Sequence, residues 1–207
     1  MSGTSSTWLF DAFLAWVISP QWRRTQLARV QGRVLEVGGG SGLSLSCYPR
    51  EGWTELTIVD LDEAMLKLAA QRSLPGSQPK TVCQGNVEAL PFGAASFDTV
   101  VAQFLFCGVR QPLQGLRECR RVLAPGGRLL LLEHVRGDHW LWGRLLDGLN
   151  VVTSRLFADR FNQRLEPLLA EAGWRVVRRE DLFLDVIRLL EAVPWETAEE
   201  SGLAKQS

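Results

Sequence analysis

The residues best suited to chemistry lie in Glu36-Val37-Gly38-Gly39-Gly40-Ser41-Gly42, between an apolar run, Arg33 to Val37, and a predicted helix. Glycines let a backbone pass close to a ligand and adopt angles closed to other residues. Glu36 sets a carboxylate beside them, which repels a pyrophosphate and suits a cationic ligand. The dinucleotide fingerprint G-x-G-x-x-G is incomplete in either register: its last position is Leu43 counted from Gly38 and Leu45 counted from Gly40. The spacing is instead E-x-G-x-G-x-G. A tight structural turn is the plainer alternative. Asp60 ends the next apolar run, Glu55 to Val59, 18 residues beyond Gly42. A carboxylate there can accept both hydroxyls of a ribose. It can also cap a helix, a role for which Asp62 competes.

Further along, His134 follows the run Arg128 to Glu133. At a strand end on the edge that carries the site, it is the candidate base for taking a proton from an acceptor. A neutral core histidine is the alternative. His139 is a weaker candidate. Asp11, inside the apolar stretch Trp8 to Ile18, either reaches an acceptor or only interrupts an apolar face. No metal site is expected. The four cysteines, Cys47, Cys83, Cys107 and Cys119, form no C-x-x-C pair, and the chain has two histidines. Buried, reduced thiols in a cytoplasmic protein are the expectation.

These residues need a scaffold that brings strand ends together. Strands are predicted over 33–37, 55–59, 80–83, 97–104 and 128–133, each a short β-rich apolar run. Helices are predicted between them. Asp62 caps Glu63 to Ser73, with Met65, Leu66, Leu68 and Ala69 as its apolar stripe. Gln111 to Leu123 places Leu113, Leu116, Cys119, Val122 and Leu123 at helical spacing, and Ala124-Pro125-Gly126-Gly127 stops it. Two last strands, 174–177 and 184–189, joined by Arg178 to Asp181, read as an antiparallel pair at the edge. The alternation predicts an α/β fold: a doubly wound, Rossmann-like, seven-stranded, mostly parallel sheet with an antiparallel edge strand. One domain over 1–207 is expected. It would comprise N-terminal lid helices to residue 30, a ligand-binding core over 31–134, a cap over 135–170 and edge strands over 171–192.

Lysine plus arginine balances aspartate plus glutamate at 23 each, so no net charge draws the chain to nucleic acid. Arg23-Arg24, Arg120-Arg121 and Arg178-Arg179 read as solvated surface. Trp8 to Ile18 is too short to span a bilayer and lacks the flanks of a signal peptide.

Four stretches, taken in order, resemble the class I S-adenosylmethionine-dependent methyltransferases. The resemblance is to the branch with quinone-biosynthesis, phosphatidylethanolamine and thiol methyltransferases. The stretches are VLEVGGGSG, TIVDLDEAML, GNVEALPFGAASFDTVV and LRECRRVLAPGGRLLLLEH, and they cover residues 34 to about 134. The resemblance implies S-adenosyl-L-methionine as cofactor. Its methionine end would lie by Glu36 and the loop of Gly38, Gly39, Gly40 and Gly42. Asp60 would bind the ribose and Leu61 pack on the adenine. Asn86 and Val87 would meet the adenine edge, and Gln103 stand near the methionine end. Asn86 replaces a common aspartate, yet its amide oxygen can still accept from the adenine amino group, with weaker binding. Gly39 stands where cysteine is often seen, which loosens the loop.

The acceptor side is less legible. Trp8 to Ile18 and the aromatic-rich stretch Trp140 to Phe161 carry many large apolar side chains. They are expected to line a covered pocket or to touch a membrane surface peripherally. The expected partner is an apolar small-molecule or lipid acceptor, and not nucleic acid. The acidic/amide-Pro-Pro-aromatic tetrapeptide of adenine methylation is absent, with Gln103-Phe104-Leu105-Phe106 in its place. Two other classes stand beside this reading. One is a non-catalytic cofactor- or protein-binding domain of the same fold. The other is a nicotinamide-dependent oxidoreductase, against which the incomplete fingerprint argues. The oligomeric state is not legible.

Overall fold

A computed structural model describes residues 19–134, 165–182 and 187–195. The first described element is α1 (Pro20–Leu27), capped by the Ser19 hydroxyl, which accepts from the Gln21 N–H at 3.3 Å. Proline at its first position loses no helical hydrogen bond. The chain continues through β1 (Gly32–Val37), β2 (Trp53–Asp60), α2 (Glu63–Gln71), β3 (Lys80–Gln84), β4 (Phe97–Gln103) and α3 (Pro112–Val122). It ends with β5 (Leu123–His134), α4 (Leu165–Glu171), β6 (Trp174–Asp181) and β7 (Ile187–Pro194).

The strands form one seven-stranded sheet in the order β3-β2-β1-β4-β5-β7-β6. All neighbours are parallel except β7, which runs antiparallel to both β5 and β6. This is the doubly wound sheet expected from the alternation. Its order reverses between β1 and β4, so the connections leaving their carboxyl ends diverge and open a crevice there.

Strand parity assigns the core to two faces. Leu35, Val37, Val100, Ala102, Leu129 and Leu131 pack with Leu116 and Cys119 of α3 and Leu169 of α4. Val34, Ile58, Val101 and Leu130 pack with Leu27 of α1 and Leu66 and Ala69 of α2. Strands covered on both sides need apolar residues at nearly every position, which is why they read as continuous runs.

Several details depart from the sequence expectation. The segment after the glycine loop forms only a 3₁₀ turn, Leu45–Cys47, and no helix. Pro49 disfavours helical angles at Tyr48, which is extended at ψ 141°. Leu68 lies outside the apolar stripe of α2, exposed at the surface. Arg178 to Asp181 do not connect two strands; they continue β6, and β7 starts at Ile187. On an edge strand charged residues are tolerated and discourage further pairing. Arg23 is buried rather than solvated. No helix among the described residues is long and apolar enough to cross a membrane.

Candidate functional site

The glycine loop leaves the carboxyl end of β1 beside β2. The N–H groups of Gly38 and Gly39 donate to the Val59 carbonyl at 2.7 and 3.2 Å. Gly38, Gly40 and Gly42 take φ values of +67°, +53° and +78°. The alternate glycines of E-x-G-x-G-x-G therefore mark a backbone that turns left-handed at every second residue. The space around them differs. A Cβ on Gly38 would approach the Leu105 Cδ1 to 2.5 Å, and one on Gly39 the Ile58 Cγ2 to 2.4 Å. A Cβ on Gly40 meets nothing within 4 Å among the described residues. The loop is wedged against the core at its start and open at Gly40.

Asp60 braces this loop. Its carboxylate accepts from the Gly40 N–H at 2.8 Å and from the Asp62 N–H at 2.9 Å. Asp62 does the capping, accepting from the N–H groups of Ala64 and Met65 at 2.8 and 3.3 Å. Between them Leu61 is 64% exposed, unusual for a leucine in a core segment. The chain after β3 returns to this place, since the Gly85 N–H donates to the Asp60 carbonyl at 3.0 Å. Asn86 follows, its side-chain oxygen accepting from the Glu88 N–H at 2.9 Å. Val87 buries its side chain in the core near Phe106, which leaves its backbone for any ligand.

At the crevice between β1 and β4 the side chains are polar and buried. Glu36 is 2% exposed and accepts from the Tyr48 hydroxyl at 2.9 Å. Burial pushes its carboxyl above the ordinary range, against the pull of the Tyr48 hydrogen bond and the Arg23 charge. Burial, with the neighbouring Glu36, also pushes the Tyr48 phenol up. Gln103 ends β4 and donates to the Gln26 side chain at 2.6 Å, while Gln26 donates to the Ala102 carbonyl at 3.2 Å. Arg23 donates to the Gln103 side-chain oxygen and lies 5.8 Å over the Phe104 ring.

Phe104 itself has φ +52°, a left-handed angle rare for an aromatic residue. Glu133, buried at the end of β5, holds the strained turn: it accepts from the N–H groups of Leu105 and Phe106 at 2.9 and 3.0 Å. The backbone of His134 pairs with Ile187. Its side chain lies outside the described residues, as do Asp11, His139, Trp8 to Ile18 and Trp140 to Phe161. Thus Glu36, the four glycines, Asp60, Leu61, Asn86 and Gln103 gather along one edge of the sheet. Sequence reasoning missed Arg23, Gln26, Tyr48 and Glu133. Only Glu133, an acid closing an apolar strand, carried a local signal. Among the described residues no three of His, Cys, Asp and Glu gather as metal ligands.

Comparison with known proteins gives the family. A methyltransferase-domain family model matches residues 35–131. A ubiquinone/menaquinone biosynthesis C-methyltransferase of Syntrophotalea carbinolica is 35% identical over 211 residues, covering 87% of this chain and 86% of that one. A phosphatidylethanolamine N-methyltransferase of Cereibacter sphaeroides is 34% identical over 143 residues, covering 67% of this chain and 70% of that one. A solved SAM-dependent methyltransferase from Aquifex aeolicus shares the fold, with a TM-score of 0.63 at 20% identity over 93% of this chain and 98% of that one. The chain belongs to the class I S-adenosylmethionine-dependent methyltransferases, and its cofactor is S-adenosyl-L-methionine.

Proposed function

We propose that the protein methylates an apolar small molecule or a lipid headgroup. The observation that carries this reading is the wall beside the methionine end. Leu132, Ile187 and Leu189 form a buried apolar cluster with Trp22, Phe104 and Leu182 packed against it. Phe104 belongs to this cluster and also lies under Arg23 in the polar crevice. An acceptor brought to the crevice from that side meets apolar surface, which favours ring or alkyl groups. The names of the two relatives, a quinone and a phospholipid methyltransferase, point the same way. Acceptors of that kind can be reached at a membrane surface by peripheral contact. Buried, reduced thiols at Cys47 and Cys119 support a cytoplasmic setting.

The residues present fit the cofactor. The open space at Gly40 admits its backbone-facing side, Glu36 offers a counter-charge to a cationic end, and Leu61 offers exposed apolar surface to the adenine. Asp60 can accept from the ribose hydroxyls, and Asn86 with the Val87 backbone can meet the adenine edge. When bound, S-adenosylmethionine supplies a methyl group already activated on a sulfonium. The chain must then hold the acceptor in line and exclude water. For an acceptor that has to lose a proton, His134 at the end of β5 is the candidate base. The 3₁₀ turn after the loop offers no helix N-terminus for a pyrophosphate, which weighs against the nicotinamide reading.

Calorimetry followed by a labelled-methyl assay tests the proposal. S-adenosylmethionine and its demethylated product are expected to bind, and NAD is not. Label is expected in apolar thiols, phenols or quinols, ahead of polar metabolites and RNA. Turnover confined to charged metabolites or RNA would overturn the acceptor class. Asp60→Ala is expected to weaken S-adenosylmethionine binding by about 1.5–3 kcal/mol, because a charged acceptor is lost. Asp62 keeps the cap on α2, so any fall in the thermal transition reports the lost brace at the Gly40 and Asp62 N–H groups and not the helix cap. Unchanged affinity in the folded variant would leave Asp60 as a brace for Gly40 alone.

A further inference from the structure

Phe104 carries the backbone strain beside the crevice. Its φ of +52° is costly for a residue with a Cβ, and Gln103-Phe104-Leu105-Phe106 contains no glycine to relieve it. Such strain persists only where the surroundings over-determine the backbone, and it gathers where geometry serves function. Here the surroundings are specific. The Phe104 N–H donates to the Leu132 carbonyl at 2.8 Å, so β4 stays paired with β5 up to the turn. One residue further along β5, a single oxygen of the buried Glu133, Oε1, accepts from both the Leu105 and the Phe106 N–H, at 2.9 and 3.0 Å. The turn sends three consecutive side chains to three places. Phe104 lies in the apolar wall with Leu132, Ile187 and Leu189, and under Arg23. Leu105 packs on the start of the glycine loop, since a Cβ on Gly38 would come to 2.5 Å from its Cδ1. Phe106 is buried in the core with Leu116 of α3 and anchors the turn. Neighbouring residues therefore touch the apolar wall and the glycine loop, and the turn fixes the spacing between the two.

We propose that Glu133 is a positioning residue for methyl transfer: it holds the left-handed turn at Phe104 so that the acceptor's apolar wall and the glycine loop keep the separation that in-line transfer needs. This rests on the function proposed above. Glu133 acts through the turn, and its role there requires an accepting oxygen at the right reach, not a charge or a proton. One oxygen takes both N–H groups, so an amide can replace the carboxylate. Transfer is sensitive to spacing, and a misplacement of about 1 Å can cost about 100-fold in rate. Cofactor affinity depends less on the turn. The loop is held separately from β2, by the Val59 carbonyl at Gly38 and Gly39 and by Asp60 at Gly40.

The test measures kcat with labelled S-adenosylmethionine and benzenethiol, naphthol or menadiol as acceptor, beside calorimetry for the cofactor and thermal unfolding, on the full chain. Glu133→Ala leaves both N–H groups without their acceptor and lets Phe104 relax. It is expected to lower kcat by about 100-fold while the Kd for S-adenosylmethionine stays within about threefold. Glu133→Gln keeps an oxygen at the same reach and should restore kcat to within about fivefold of wild type. Glu133→Asp keeps the charge, but its oxygens fall one methylene short, so it should behave like Glu133→Ala. The order Gln above Asp marks a geometric role. Asp at or above Gln would make Glu133 a charge or a proton acceptor in the reaction and overturns the proposal. A Glu133→Ala variant that melts earlier yet keeps the wild-type kcat overturns it too, as does a loss of cofactor affinity as large as the loss of kcat. Where Glu133→Ala does not fold, the order of Gln and Asp decides. A wild-type chain that labels none of these acceptors would instead overturn the acceptor class on which the proposal rests.

Discussion

Gly40→Val is expected to give a folded protein that no longer binds S-adenosylmethionine at any measurable concentration. Its Cβ meets nothing within 4 Å among the described residues, so the branched side chain enters the open space proposed for the cofactor. The backbone cost is separate. A φ of +53° is uncomfortable for any residue with a Cβ and worst for a β-branched one. That strain is about 1–2 kcal/mol, or a fall of a few degrees in Tm at about 2–4 °C per kcal/mol for a domain of this size. Gly39→Val is the informative contrast. Its Cβ would run into Ile58 Cγ2 at 2.4 Å, so it should lower the thermal transition far more. Calorimetry beside thermal unfolding separates the two. Retained binding by Gly40→Val would remove the loop from the cofactor site.

Much of this candidate site was legible because its residues are local. The E-x-G-x-G-x-G spacing, the apolar run before it and Asp60 at the end of the next run all lie within one β-loop-β unit. The division between Asp60 and Asp62 was posed correctly by sequence and resolved by hydrogen bonds: one carboxylate faces the glycine loop and the other faces the helix N–H groups. The missing helix after the loop was readable too, since Pro49 restricts Tyr48, but the glycines drew attention first. The edge strand misled for a physical reason. At Arg178 to Asp181 charged residues in succession look like a connection, and only an edge position makes them a strand.

What sequence could not give were the partners brought in from far along the chain. Arg23 meets Gln103, 80 residues away, and Leu105 meets Glu133, 28 residues away. An Arg-Arg pair after an apolar stretch carries the composition of a surface, and nothing local distinguishes the arginine that turns inward. The strained Phe104 is similar. Its positive φ follows from Glu133 gathering two N–H groups beyond it, not from any turn residue in Gln103-Phe104-Leu105-Phe106.

Glu36→Gln should move stability and binding in opposite directions. Burial raises the native carboxyl above its ordinary value of 4.5. Between the unfolded and native values the native state binds more protons, so stability falls as pH rises through that window. Above the native value the full cost of the buried charge is present. The amide oxygen of glutamine can still accept from the Tyr48 hydroxyl, and it carries no charge to desolvate. The variant should therefore unfold at a higher temperature than wild type near pH 8, with the gap closing below about pH 4.5, where Glu36 is protonated in both states. Binding should weaken by about 1.5–3 kcal/mol, because the cofactor's ammonium loses its counter-charge. Wild-type affinity should also decline on acidification as Glu36 takes up a proton, whereas the variant's should not change through this group. A site that gives up stability for binding is expected to show this pair of signs. A lower transition temperature near pH 8 together with unchanged affinity would mean that Glu36 serves only as the acceptor for Tyr48.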